Sequence, residues 1–189
     1  MKFAPKEQTD FDYNTIDWQR EEVKFAKDLS TKNLRIIKMG GDGNCLFRAI
    51  AHQAYGDEDM HRMIRLKCMD YILSEKEYFK DFILGGDITN VEEYVIRKRQ
   101  NAVWGDDVEL QALSEIYNRA IEIYAYSKDP MRTFHEQVST EEPFRLSYHG
   151  ASHYNSIVAT NWNFEKVFIK MKPGDAEDEA ISQSRIRLE

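Results

Sequence analysis

A chain of 189 residues, 42% apolar and 31% charged, is long enough to bury one core without a disulfide or metal staple. Lys and Arg number 26 against 33 Asp and Glu, and the resulting charge of −7 argues against nonspecific binding to nucleic acid or an anionic membrane and suits a basic partner. Apolar runs of about five residues fall far short of the ~20 of a spanning helix, the N-terminus carries no apolar signal segment, and Cys45 and Cys68 make no disulfide framework. The expectation is a soluble, intracellular, single-domain monomer, cytoplasmic with the nucleus as a second location.

In chain order, residues 1–14 are polar and without period and read as an arm. Ile16 to Leu29 carries an imperfect helical stripe of Ile16, Val23, Phe25, Ala26 and Leu29. Leu34 to Met39 is short and β-branched and runs into Gly40-Gly41, a strand ending in a turn. A helical period then begins, with Leu46, Phe47, Ile50, Ala51 and Ala54 on one side and Gly56 closing the run. Met60, Met63, Ile64, Lys67, Cys68, Tyr71 and Ile72 form the cleanest helical stripe. Ser74-x-x-Glu77 and Thr89-x-x-Glu92 are capping-box patterns for two further helices, and Asp106 or Asp107 can cap another over Val108 to Tyr117. Ile121 to Tyr126, Phe144 to Tyr148 and Tyr154 to Ala159 are strand candidates. Helices first and strands last predict an α+β layer rather than a regular βαβ repeat. Beyond Pro173-Gly174 the polar tail reads as disordered, so the expected domain spans 15–160, followed by an extension over 161–189.

The chemistry concentrates in Gly40-Gly41-Asp42-Gly43-Asn44-Cys45. A strand feeds a glycine-rich turn and a helix starts at or just before Cys45, so the unpaired N–H groups of the first helical turn point toward its sulfur. Such a setting favours thiolate over thiol, and the same loop can aim N–H groups at a developing oxyanion. A dinucleotide fingerprint fails because Leu46 stands where a third glycine is needed, and a phosphate loop fails because no Gly-Lys-Ser/Thr follows. Position alone leaves a second reading open, a small buried core cysteine. Cys68, mid-helix on an apolar face, reads as core.

A thiol nucleophile needs an imidazole held by a third group. His52 lies about 10 Å up the Cys45 helix and is out of reach. His61 opens the next helix, and His135 has no evident orienter. On a strand, His153 shares a face with Asn155, whose amide oxygen can hold the second ring nitrogen, whereas Ala151 follows His149 at the same spacing and can orient nothing. A structural histidine near a turn is the alternative. No Cys-x-x-Cys pair or His-Glu-x-x-His helix points to zinc, and neither metal nor cofactor is expected.

Three ordered segments carry a family resemblance over roughly residues 16 to 160. Gly41 to Ala49 resembles the cysteine box of the ovarian-tumour (OTU) domain cysteine proteases, Trp104-Gly105-Asp106-Asp107-Val108-Glu109-Leu110-Gln111-Ala112 their central motif, and His153-Tyr154-Asn155-Ser156-Ile157 their histidine box. Tyr55 to His61, Arg97-Lys98-Arg99 and Glu115 to Arg119 look closest to the DUBA-type branch. The resemblance implies an α/β (α+β) papain-like fold, a small mixed sheet surrounded by helices. It also implies a thiol-dependent deubiquitinase acting on ubiquitin, polyubiquitin chains and ubiquitinated proteins, whose basic face suits an acidic domain. A catalytically silent ubiquitin-binding module and the same chemistry on a ubiquitin-like modifier are the alternatives. By resemblance Cys45 is the nucleophile, His153 the general base and acid, Asp42 the aspartate of the oxyanion loop, and Asn155 the third member where many relatives carry Asp. Gly43, Asn44, Trp104, His149 and Tyr154 fall on the substrate path, between a variable loop near 94–104 and a histidine loop at 149–153. Trp104 reads equally as a core aromatic beneath the central helix. The branch carries a phosphorylated serine before the domain, and residues 8–15 here contain none, with Asp10 and Asp12 as fixed negative charge.

Overall fold

The computed structural model describes residues 15–83, 90–135 and 141–163, so the expected arm and disordered tail lie outside the described residues. Helix α1 (Thr15–Ser30) leads through a tight turn into β1 (Leu34–Ile37). After the glycine-rich turn come α2 (Cys45–Tyr55), a 3-10 turn (Glu58–Met60), α3 (His61–Ser74), α4 (Lys76–Ile83), α5 (Val91–Lys98) and α6 (Asp107–Ile116). Strands β2 (Ile121–Tyr124), β3 (Arg132–Phe134), β4 (Phe144–His149) and β5 (His153–Ala159) complete the described chain.

One five-stranded sheet, in the order β1-β5-β4-β2-β3, holds these elements together. Only β2 and β4 run parallel; the other neighbours are antiparallel. Side chains alternate between its faces. Leu34, Tyr124 and Ile157 pack with Phe25 and Leu29 of α1 on one side. Ile121, Ile123, Phe144 and Leu146 join the larger core built with α2 to α6 on the other. The expected small mixed sheet among helices is therefore the observed α+β architecture.

Local chemistry sets the ends of the elements that matter for the site. Gly56, at φ 72°, ends α2 in a left-handed cap whose N–H donates to the His52 carbonyl. Asp106 caps α6 in a full capping box with Glu109. Two expected caps are placed otherwise. Ser74 is the last residue of α3, its hydroxyl donating back to the Tyr71 carbonyl, so it does not open α4. Asn90 caps α5, accepting from the Glu93 N–H at 2.7 Å, and Thr89 lies outside the described residues. Residues 94–98 are helical, so the segment beside the site narrows to 99–106.

Candidate active site

Strand β1 delivers the chain into the turn 38–44, and Cys45 is the first residue of α2. Gly43 has φ 82°, and a Cβ there would sit 2.3 Å from the Ala102 carbonyl oxygen. Only glycine fits, so the role of Gly43 is to seat the cysteine turn against the 99–106 segment. Asp42 accepts from the Asn44 N–H at 3.1 Å and takes both Nε and a terminal nitrogen of Arg48 (2.7 Å for the latter). That guanidinium holds the Asp42 carboxyl far below the usual carboxylate range, so it is ionised throughout neutral pH. Arg48 also pairs with Asp59, tying the cysteine turn to the 3-10 turn that precedes α3.

The second half of the site comes from β5, which lies between β1 and β4. The Tyr154 N–H donates to Cys45 Sγ at 3.5 Å, bringing together residues 109 positions apart. Asn155 shares a strand face with His153, and its Oδ1 accepts from His153 Nε2 at 3.0 Å and from the Met39 N–H at 2.8 Å. With Nε2 donating, Nδ1 is the ring nitrogen left for a proton from elsewhere. Cys45 is 7% exposed and faces a cleft of about 270 Å³, walled by Lys98, Trp104, Gly105, Asp106, Tyr148, Ala151, Ser152 and Tyr154. Trp104 is 61% exposed and so is a wall of this cleft rather than a core aromatic.

Asn44 and His149 stand differently from their expected substrate-binding roles. Asn44 is 1% exposed; its Oδ1 accepts from Arg65 and the Ala102 N–H, and its Nδ2 donates to Asn101. Its side chain positions the turn and has no face toward a substrate. His149 has both ring nitrogens engaged, by Glu22 and Ser147, on the α1 side of the sheet. Asp42 makes no described contact with His153; its partners are Asn44 of the turn and Arg48 of α2.

A buried polar network was not foreseen from the sequence. Arg65, 2% exposed, donates to Asn44 Oδ1 at 2.7 Å and to the Lys98 carbonyl at 2.9 Å, with its guanidinium 4.1 Å from the Phe47 ring centre. Lys98 Nζ reaches the Trp104 carbonyl at 2.8 Å and the fully buried Glu109 at 3.1 Å, and Glu109 also accepts from the Tyr94 hydroxyl and the Asp106 N–H. Helices α3, α5 and α6 thereby grip the turn that carries Cys45. The signal was present: Arg65, Cys68, Met69 and Ile72 stand at i, i+3, i+4 and i+7, as do Glu109, Ala112, Leu113 and Ile116. Among the described residues no group of three His, Cys, Asp or Glu side chains is placed to hold a metal.

A cysteine opening a helix, touched by the strand that carries an amide-held imidazole, is the layout of a papain-like thiol hydrolase. The chain belongs to the OTU-like cysteine protease family, which it matches over residues 40–156, a span that includes Asp42, Cys45, His153 and Asn155. OTU domain-containing protein 5-A of Xenopus laevis is 44% identical over 174 residues, covering 89% of this chain and 33% of that protein. The ovarian tumor domain-containing deubiquitinating enzyme 6 of Arabidopsis thaliana is 45% identical over 141 residues, covering 74% of this chain and 27% of that protein. The solved OTU domain of OTUD1 matches with a TM-score of 0.66 at 26% identity, covering 76% of this chain and 98% of that one. This chain spans a third or less of the length of those two curated relatives.

Proposed function

We propose that this domain is a thiol-dependent deubiquitinase that hydrolyses the isopeptide bond after the C-terminal glycine of ubiquitin. The observation that carries the reading is the contact of Cys45, at the start of α2, with the Tyr154 N–H, next in sequence to a His153 ring held by Asn155, within a chain of this protease family. The Arabidopsis relative, named a deubiquitinating enzyme, supports the choice of substrate.

The chemistry runs in two halves. Cys45 gives its proton to His153 Nδ1 and attacks the scissile carbonyl, whose oxyanion forms beside the unpaired N–H groups of the first turn of α2. His153 passes that proton to the departing lysine amine, leaving a thioester between Cys45 and the ubiquitin C-terminus. Water, deprotonated by the same ring, then releases the carboxylate and restores the thiol. Asn155 keeps the imidazole in one orientation throughout, and the exposed face of Trp104 flanks the extended substrate tail.

Ubiquitin bearing a C-terminal electrophile should form a covalent adduct with Cys45 near neutral pH, and Cys45→Ala should abolish it. A folded wild-type chain that stays unlabelled overturns the assignment. Side-by-side cleavage of ubiquitin and ubiquitin-like conjugates reads out which modifier is preferred.

A further inference from the structure

We propose that His149 is a positioning residue that fastens the turn presenting His153 to helix α1. The proposal rests on the reading of His153 as the general base. The ring sits at the end of β4, 8% exposed, in one aromatic cluster with Phe25 of α1 and Tyr126, whose ring centres are 5.8 and 5.7 Å from it and 5.5 Å from each other. His149 Nδ1 lies 2.7 Å from Glu22 Oε1, and Nε2 lies 2.6 Å from Ser147 Oγ. A carboxylate only accepts, so Nδ1 carries a hydrogen toward Glu22, and Nε2 is bonded to the Ser147 hydroxyl. The Tyr126 hydroxyl donates to the same Glu22 oxygen at 3.0 Å.

Serine, histidine and glutamate in this order look like a hydrolytic relay. Ser147 is wholly buried, however, and no substrate can reach it. What the relay does is hold β4 in place. An imidazole bonded at both nitrogens and buried in an aromatic cluster has one rotamer and one tilt.

The register carries that rigidity to the site. His149 pairs with His153 and Ser147 with Asn155 across the antiparallel β4–β5 ladder. Three residues separate the two histidines, with Gly150 at φ 53° and Ala151 at φ 54°, and the Ser152 N–H donates to the His149 carbonyl at 3.1 Å. So short a connection transmits a shift of His149 to His153 with little slack. Glu22 is 127 positions away in sequence, so docking of α1 becomes a condition for correct placement of the base.

The test uses the whole chain with Glu22→Ala and Glu22→Gln, both checked for folding by circular dichroism. Glu22 is partly exposed, which makes these variants gentler than any change at His149 itself. With a ubiquitin–fluorophore substrate, Glu22→Ala should lower kcat on the order of tenfold with KM within about twofold, because the fault lies in the geometry of the base. Glu22→Gln keeps an acceptor for the Nδ1 hydrogen and should recover most of kcat. The imidazole nitrogen resonances of His153 should shift in Glu22→Ala and return toward wild type in Glu22→Gln. Wild-type kcat together with superimposable His153 resonances in Glu22→Ala overturns the proposal. If wild-type chain cleaves no ubiquitin substrate, the proposed function fails, and the resonances still decide the role of His149.

Discussion

Asn155 serves two masters with one oxygen: a backbone N–H from the end of β1 and the imidazole of His153. The first contact is structural, because a buried N–H left without an acceptor costs about 1–3 kcal/mol. The second is chemical, because it selects which ring nitrogen of His153 is left free of Asn155. Asn155→Ala should therefore lose both, with a lower denaturation midpoint and kcat/KM reduced roughly tenfold by a mobile ring. Asn155→Asp preserves an acceptor for both donors and should keep most of the activity, whereas His153→Ala removes the proton carrier and should be far more severe. Steady-state hydrolysis of a ubiquitin amide checks all three, and an Asn155→Ala variant at the wild-type rate would show that the ring is held by other means. The pairing of His153 with Asn155 was legible in the sequence because strand period alone places i and i+2 on one face. The engagement of His149 was not, since its carboxylate partner comes from a helix 127 positions upstream.

At the scale of elements, α3 decides how firmly the cysteine turn is held. Its Arg65 makes no ion pair among the described residues and spends its guanidinium on neutral acceptors, Asn44 and the Lys98 carbonyl. Arg65→Met should strip both, destabilising the fold by about 2 kcal/mol or more in urea titration and lowering kcat, because Asn44 immediately precedes Cys45. Arg65→Lys retains the charge but cannot span two acceptors, so it should fall between the two. Equal stability and activity in all three would mean that the turn holds itself. Helices α2, α3 and α6 were legible within a residue or two, through long apolar periods and clear stops. Arg65 and Glu109 escaped because charged side chains read as solvated unless their spacing is matched to the apolar stripe. Strand β3 escaped for a different reason: its three residues at the sheet edge are too few to show alternation.

For the whole molecule the governing quantities are charge and topology. A net charge of −7 speeds encounter with a basic partner more than it tightens the complex. Raising NaCl from about 0.05 to 0.5 M should thus depress kcat/KM for a ubiquitin substrate while leaving kcat nearly constant. A flat salt profile would place recognition on apolar contacts instead. The class of fold was legible from the order of helices and strands, but the sheet order was not. Nothing local announces that the last of the described strands lies inside the sheet, between β1 and β4.

That insertion has a consequence for how the site comes into being during synthesis. Cys45 leaves the ribosome early, with its helix and turn already specified by neighbouring residues. The Tyr154 N–H that touches its sulfur, and the His153–Asn155 pair beside it, arrive only with β5. Until then β1 and β4 have no strand between them, and the cysteine turn lacks every contact that β5 supplies. The growing chain thus carries Cys45 apart from its β5 partners, and closing the sheet and assembling the proposed site are a single event.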